Sequence, residues 1–64
     1  MKFNVGDTVR VAKSAVSDLI GIEGVIVSTE PDGDPTFTRY TLQMDAGQRQ
    51  HFLEYQLEFV RRGD

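Results

Sequence analysis

The chain has 64 residues, no cysteine and a formal net charge of −3. This length supports one domain with a small core, and the lack of cysteine excludes disulfides and thiolate metal sites. The acidic balance argues against a general electrostatic binder of nucleic acid, and no apolar run reaches the ~20 residues of a membrane span. The N-terminus lacks the apolar core of a secretory signal. We therefore expect a cytoplasmic domain over residues 1–60, with no membrane partner, and a disordered polar tail over 61–64.

Apolar and polar residues alternate along most of the chain, which is typical of short β-strands. The predicted strands are 8–12, 25–28, 39–44, 48–53 and 57–60. Turn signals lie at Gly6-Asp7, at 30–35 and at 45–47, where Gly47 suits a positive φ. The loop over 13–23 has room for a short helical turn capped by Ser14 or Ser17. Residues 54–56 are too few for an α-helix and predict a single 3₁₀ turn.

This order of elements predicts an all-β fold: a five-stranded SH3-like barrel with a 3₁₀ turn before the last strand. The expected core collects apolar residues from the strands and from the turn ahead of the first strand. Its members are Val5, Val9, Val11, Val25, Val27, Leu42, Met44, Phe52 and Leu57. A core this small is marginal by itself, so a homo-oligomer is one way to bury further surface.

Catalytic and metal-binding patterns are weak in this chain. His51 is the single histidine, and the acidic turn at Glu30, Asp32 and Asp34 lacks the rest of a calcium loop, so we expect no metal. The serines lie in no nucleophile elbow, and no glycine-rich loop precedes a helix as phosphate binding requires. We therefore expect no catalytic residue and no cofactor from these patterns.

Several polar and aromatic residues in the second half of the chain are candidates for a contact surface. Arg39 alternates out of phase with the apolar residues of its strand and should point outward. Arg49 and His51 lie in the fourth strand. The candidate binding residues are Arg39, Tyr40, Arg49, His51 and Tyr55. Aromatic rings beside cationic groups suit the docking of a protein, or the stacking of bases.

Two glycine-led phrases resemble the KOW-type module of SH3-like barrels. They are Gly6-Asp7-Thr8-Val9-Arg10-Val11 and Gly21-Ile22-Glu23-Gly24-Val25. The resemblance implies an SH3-like barrel and a nucleic-acid-binding function. In that family the residues between the second pair of glycines tend to be basic and contact RNA, whereas here they are Ile22 and Glu23.

The opening Phe3-Asn4-Val5-Gly6-Asp7-Thr8-Val9-Arg10 is also similar to the plasmid-borne type II dihydrofolate reductases, as is the stretch from Gly47 to Glu58. The resemblance implies a tetramer that uses NADPH at a pore shared by four subunits. It places Gln50 and Phe52 on the glutamine and tyrosine of that pore. The flanking Arg49 and His51 depart from the family's valine and isoleucine.

These observations favour a non-catalytic SH3-like binding module, an accessory or regulatory subunit that docks on a protein partner. The alternative is a diverged NADPH-dependent reductase assembled as a tetramer, with Gln50 and Phe52 at its site. A KOW-like nucleic-acid-binding module is the second alternative. The sequence leaves the choice between enzyme and binding module open.

Overall fold

The computed structural model describes residues 3–34, 37–45 and 47–63. The strands are β1 (Thr8–Val11), β2 (Glu23–Glu30), β3 (Arg39–Gln43), β4 (Arg49–Leu53) and β5 (Leu57–Arg61), with 3₁₀ turns at Ser17–Leu19 and Glu54–Gln56. The predicted all-β class, the five strands and the 3₁₀ turn before the last strand are confirmed. Pro35, Ala46 and Asp64, which belong to the predicted turns and tail, lie outside the described residues. Within the described ranges, no helix has the length and apolar character to cross a membrane.

The five strands form one antiparallel sheet in the order β4-β3-β2-β1-β5. The first four strands follow one another as a meander, and β5 returns to pair with β1. The second 3₁₀ turn carries the chain from one edge strand, β4, to the other, β5. The register shifts between Ile26 and Ser28 and again between Thr8 and Val9. Such bulges increase local twist and bend the sheet.

The core lies on one face of this sheet and draws on every strand. Its buried apolar members are Phe3, Val9, Val11, Ile26, Tyr40, Leu42, Met44, Phe52 and Leu57. Six of these were predicted from the alternating pattern. The rings of Phe3 and Tyr40 meet edge-on with centroids 5.4 Å apart, so the segment ahead of β1 covers the core beside β3.

Three predicted core residues are placed differently. Val5 is 60% exposed and Val25 is 40% exposed, while Val27 is half-buried. Ile26 takes the inward position instead, opposite Leu42 of β3. Three β-branched residues in a row carry no alternation, so the sequence alone gives no sign of which of them faces the core. The bulge beside Ile26 then breaks the register at Val27.

All five strands differ from their predicted bounds by at least one residue, β2 most of all, and the first 3₁₀ turn lacks its predicted cap. β2 starts at Glu23 and ends at Glu30, so it is longer at both ends than the predicted strand. The first 3₁₀ turn begins after Val16, and no side chain caps its first N–H groups, so the predicted caps Ser14 and Ser17 are wrong. The Ser14 hydroxyl instead accepts a hydrogen bond from the Val16 N–H at 3.1 Å.

Asp7 connects the two ends of the described chain. It is buried, and its carboxylate accepts hydrogen bonds from the N–H groups of Asn4 and Gly63, each at 3.0 Å. The strand β5 runs to Arg61, one residue into the predicted tail, and the tail is anchored again at Gly63. The turn before β1 needs Gly6, whose φ is 97°, in the left-handed region that favours glycine.

Candidate binding face

The hairpin of β3 and β4 presents a row of polar side chains on the face opposite the core. Residues on a strand alternate between faces, and the register pairs Arg39 with Leu53, Thr41 with His51, and Gln43 with Arg49. We call this set the outer face of the hairpin. Its members are Arg39, Thr41, Gln43, Arg49, His51 and Leu53. All are exposed or half-buried, and the intervening residues Tyr40, Leu42 and Phe52 are buried.

Two cross-strand hydrogen bonds order the outer face. The Thr41 hydroxyl and His51 Nδ1 share a hydrogen bond of 2.9 Å. Arg49 Nε donates to Gln43 Oε1 at 2.8 Å. The second bond uses one N–H group of the Arg49 guanidinium, and within residues 3–34, 37–45 and 47–63 its terminal nitrogens have no hydrogen-bond partner, so they can donate to another protein.

Among the described residues, Arg39 and Arg49 form no ion pair. In the part of the chain that the structure describes, the only ion pairs are those of Arg10, with Glu23 at 2.9 Å and with Glu58 at 3.2 Å. The hydrogen bond to Glu23 is the largest cause of the raised pKa of Arg10, and the hydrogen bond to Glu58 is the next largest. Arg10 is therefore paired with acidic residues of neighbouring strands, whereas the two arginines of the outer face point their charges toward solvent.

A shallow cleft of about 300 Å³ borders the outer face, lined by Arg39, His51, Phe52, Leu53 and Gln56. Gln56 fixes one wall: its Oε1 accepts from the Leu53 N–H at 2.9 Å, and its Nε2 donates to the Lys13 carbonyl at 3.2 Å. The cleft combines one guanidinium, one imidazole and apolar surface. Such a mixture suits a side chain or short segment of a partner with both acidic and apolar parts.

Tyr40, predicted as a contact residue, is a core residue. Its ring is fully buried, and its hydroxyl donates to Glu54 Oε1 at 2.6 Å and accepts from the Phe3 N–H at 3.4 Å. The tyrosine therefore has no surface to offer a partner. The alternation of Tyr40 with Leu42 and Met44 already places it on the apolar face of β3.

Tyr55 lies outside the outer face. It belongs to the second 3₁₀ turn and is 49% exposed, next in sequence to the cleft residue Gln56. The structure thus brings Arg39, Arg49 and His51 together, leaves Tyr55 at a separate exposed position and removes Tyr40. Sequence reasoning missed Thr41, Leu53 and Gln56. Alternation along β3 and β4 would have found the first two once the inward face was known.

The two residues of the predicted reductase pore lie on the inward side of β4. Phe52 is only 4% exposed and packs in the core, while Gln50 is half-buried opposite Leu42. A pore residue must reach a cofactor, and Phe52 presents almost no surface for one.

Across residues 3–34, 37–45 and 47–63, no group of three or more histidine and acidic residues could hold a metal ion.

The second glycine-led phrase, from Gly21 to Val25, has no cationic surface of its own. Ile22 is 37% exposed, and the Glu23 carboxylate is bonded to Arg10. Gly24 is buried, and Leu42 and the carbonyl of Gln43 lie close to it. The phrase therefore serves the packing of β2 between β1 and β3.

Comparison with known proteins adds no family to this description. Neither the scan against protein-family models nor the search of curated proteins found a match to the chain.

Proposed function

We propose that this protein is a non-catalytic SH3-like binding module that docks on a protein partner as an accessory or regulatory subunit. Its contact surface is the outer face of the β3–β4 hairpin, with Arg39, Arg49 and His51 as the main polar contacts. Tyr55, in the 3₁₀ turn that follows β4, adds an exposed aromatic ring as a further contact outside the outer face. The module works in the cytoplasm without a cofactor.

One observation carries the proposal: Arg39 and Arg49 lie exposed on one ordered face of a chain whose net charge is negative. Neither has an ion pair among the described residues, although Arg10, on β1, has two. Exposed arginines on a rigid strand lose less entropy on binding than arginines on a loop, and arginine is enriched at protein interfaces.

The enzyme alternative has less support. The reductase site would need Phe52 at a shared pore, and that ring is buried in the core of its own chain. If recombinant protein oxidises NADPH in the presence of dihydrofolate, and Gln50→Ala abolishes the turnover, the proposed function is replaced by a reductase. A tetramer by light scattering would accompany that result.

The protein-binding proposal is tested by capture with a matched charge control. The tagged chain and the double variant Arg39→Glu/Arg49→Glu are expressed in the source organism, purified gently and compared by quantitative mass spectrometry. A specific partner should be enriched with the wild type and lost with the variant. The control variant Lys13→Glu/Arg61→Glu makes the same charge change at exposed residues outside the outer face and should keep the partner.

Two results would count against this function. One is a partner that is kept by the Arg39→Glu/Arg49→Glu variant, which would place the contact surface elsewhere. The other is salt-sensitive binding of oligonucleotides that the same variant abolishes, which would support the nucleic-acid alternative. Reconstitution of wild type and partner followed by calorimetry then gives the affinity.

A further inference from the structure

In the part of the chain that the structure describes, backbone groups along the β4 edge of the sheet pair with no other strand, and they lie beside the outer face. β4 is a terminal strand in the order β4-β3-β2-β1-β5, so one side of it pairs with β3, and no strand of the described ranges lies against the other side. The other edge strand, β5, contains a bulge in its pairing with β1, between the partners of Val9 and Thr8, and its Glu58 is bonded to Arg10. A regular edge without acidic residues is the better template for a further strand.

The hydrogen bonds that flank β4 identify which of its backbone groups point outward. The Met44 N–H donates to the Gln48 carbonyl at 2.8 Å, and the Glu54 N–H donates to the Thr38 carbonyl at 3.0 Å. In an antiparallel ladder, hydrogen-bonded and non-hydrogen-bonded pairs alternate. The even-numbered residues of β4 therefore bond to β3, and the N–H and C=O groups of Arg49 and His51 point away from it.

The end of this open stretch is already closed. The N–H of Leu53, which also points away from β3, donates to Gln56 Oε1 at 2.9 Å. Gln56 is held in turn, because its carbonyl accepts from the N–H groups of Ala12 and Lys13. The available edge thus consists of Arg49 and His51, whose side chains also belong to the outer face.

We infer that this edge binds an extended acidic segment of the protein partner, which adds to the sheet as an antiparallel sixth strand. The inference rests on the proposed function and specifies its ligand. The side chain directly opposite Arg49 shares its face, so an acidic residue there meets an arginine that has no ion pair among the described residues. Alternate positions of the added strand all lie on the outer face, and the cleft beside Arg39 accepts a second acidic side chain.

A second copy of the chain fits this edge less well. Edge-to-edge pairing of two β4 strands would put the Arg49 guanidinium groups of both copies on one face of the joined sheet. Like charges at neighbouring positions of a sheet are destabilising. Charge complementarity therefore selects an acidic segment from a different protein.

The probe is an acetylated, amidated octapeptide of alternating threonine and glutamate, titrated into the whole protein and followed by NMR. Binding should slow hydrogen exchange at the amides of Arg49 and His51, with little change at Gln50 and Phe52. An octapeptide of the same composition with its glutamates in one block should bind more weakly, because its acidic side chains fall on both faces.

Backbone methylation tests the pairing itself. In the antiparallel arrangement the residues opposite Arg49 and His51 are glutamates, and their N–H groups point at β4. N-methylation of the glutamates should abolish binding, whereas N-methylation of the threonines should leave it. Arg49→Glu should weaken binding by roughly tenfold or more, while Arg61→Glu, with the same charge change on β5, should leave it nearly unchanged.

The proposed strand addition is overturned if both methylated peptides bind like the parent, or if binding leaves the amides of Arg49 and His51 as exposed as before. If the partner is captured through Arg39 and Arg49 but the peptide protects neither amide, only the strand addition fails. If the capture experiment finds no partner that depends on these arginines, the proposed function fails first.

Discussion

At the scale of single residues, Tyr40 connects the core to the chain reversal between the two edge strands. Its ring packs against Phe3, and its hydroxyl donates to Glu54, the first residue of the second 3₁₀ turn. A hydrogen bond from a hydroxyl to a carboxylate is stronger than one between two neutral groups. Tyr40 therefore positions the segment that leads into β5.

Tyr40→Phe should lower the free energy of unfolding by about 1–2 kcal/mol, because it removes the hydrogen bonds of the hydroxyl with Glu54 and Phe3 while the ring still fills the core. Urea unfolding at neutral pH measures the change. Tyr55→Phe is the matched control, since Tyr55 is 49% exposed and should lose almost nothing. Equal stability of the Tyr40→Phe variant and the wild type would contradict the structural role assigned to the hydroxyl.

At the scale of elements, β2 depends on a close approach to β3 at Gly24. A Cβ at this position would lie 3.1 Å from the Gln43 carbonyl oxygen and 3.2 Å from Leu42 Cβ. The carbonyl belongs to the neighbouring strand and moves only if the sheet moves. The close packing of β2 against β3 thus explains why glycine occupies position 24.

Gly24→Ala should destabilise the fold by about 1–3 kcal/mol through overpacking between β2 and β3. The midpoint of thermal or urea unfolding reports the loss. Gly33→Ala provides the comparison, because a Cβ there meets nothing within 4 Å, and it should be neutral or slightly stabilising. A Gly24→Ala variant as stable as Gly33→Ala would show that the strands can separate at little cost.

The strands themselves could be predicted from the sequence wherever apolar and polar residues alternate cleanly. In β3 and at the residue after it, Leu42 and Met44 alternate with Thr41 and Gln43, and the burial follows that pattern. In β2, the run from Val25 to Val27 has no alternation, so its inward residue depends on a bulge that no local signal marks.

The candidate site was only partly predictable for a similar reason. Arg39 is out of phase with its apolar neighbours, so its outward position could be read from the sequence. In β4, each face holds one polar and one apolar residue among Gln50, His51, Phe52 and Leu53. The inward side of β4 is settled only by pairing with β3, where Phe52 lies opposite Tyr40.

At the scale of the whole molecule, Asp7 links the turn before β1 to the segment after β5. Two backbone hydrogen bonds lower the pKa of Asp7 below its usual value of 3.8; the bond from the Gly63 N–H has the larger effect and the bond from the Asn4 N–H the smaller one. The charge of Arg62 also lowers this pKa, while burial raises it. The unfolded chain therefore binds this proton more readily than the folded chain. The contribution of Asp7 to folding stability is therefore complete at pH values above its usual pKa. That contribution is lost as the pH falls through the lower pKa that Asp7 has in the folded chain.

Wild-type stability should consequently fall as the pH drops below 3.8, and Asp7→Asn should be less stable at neutral pH and show a shallower fall in acid. Urea unfolding across this acid range measures both. Asp18→Asn, at an exposed aspartate of the first 3₁₀ turn, corrects for the general effect of removing one carboxylate.

Gly63→Ala tests whether the chain end causes the shift. A Cβ on Gly63 would overlap the carbonyl of Gly6, so the segment after β5 must move away and its N–H must leave Asp7. The pKa of Asp7, followed by NMR of its carboxyl carbon, should then rise toward 3.8, with part of the acid sensitivity lost. Gly33→Ala should leave that titration unchanged. If Asp7 titrates identically in Gly63→Ala and the wild type, the bond from Gly63 does not hold the two ends together in solution.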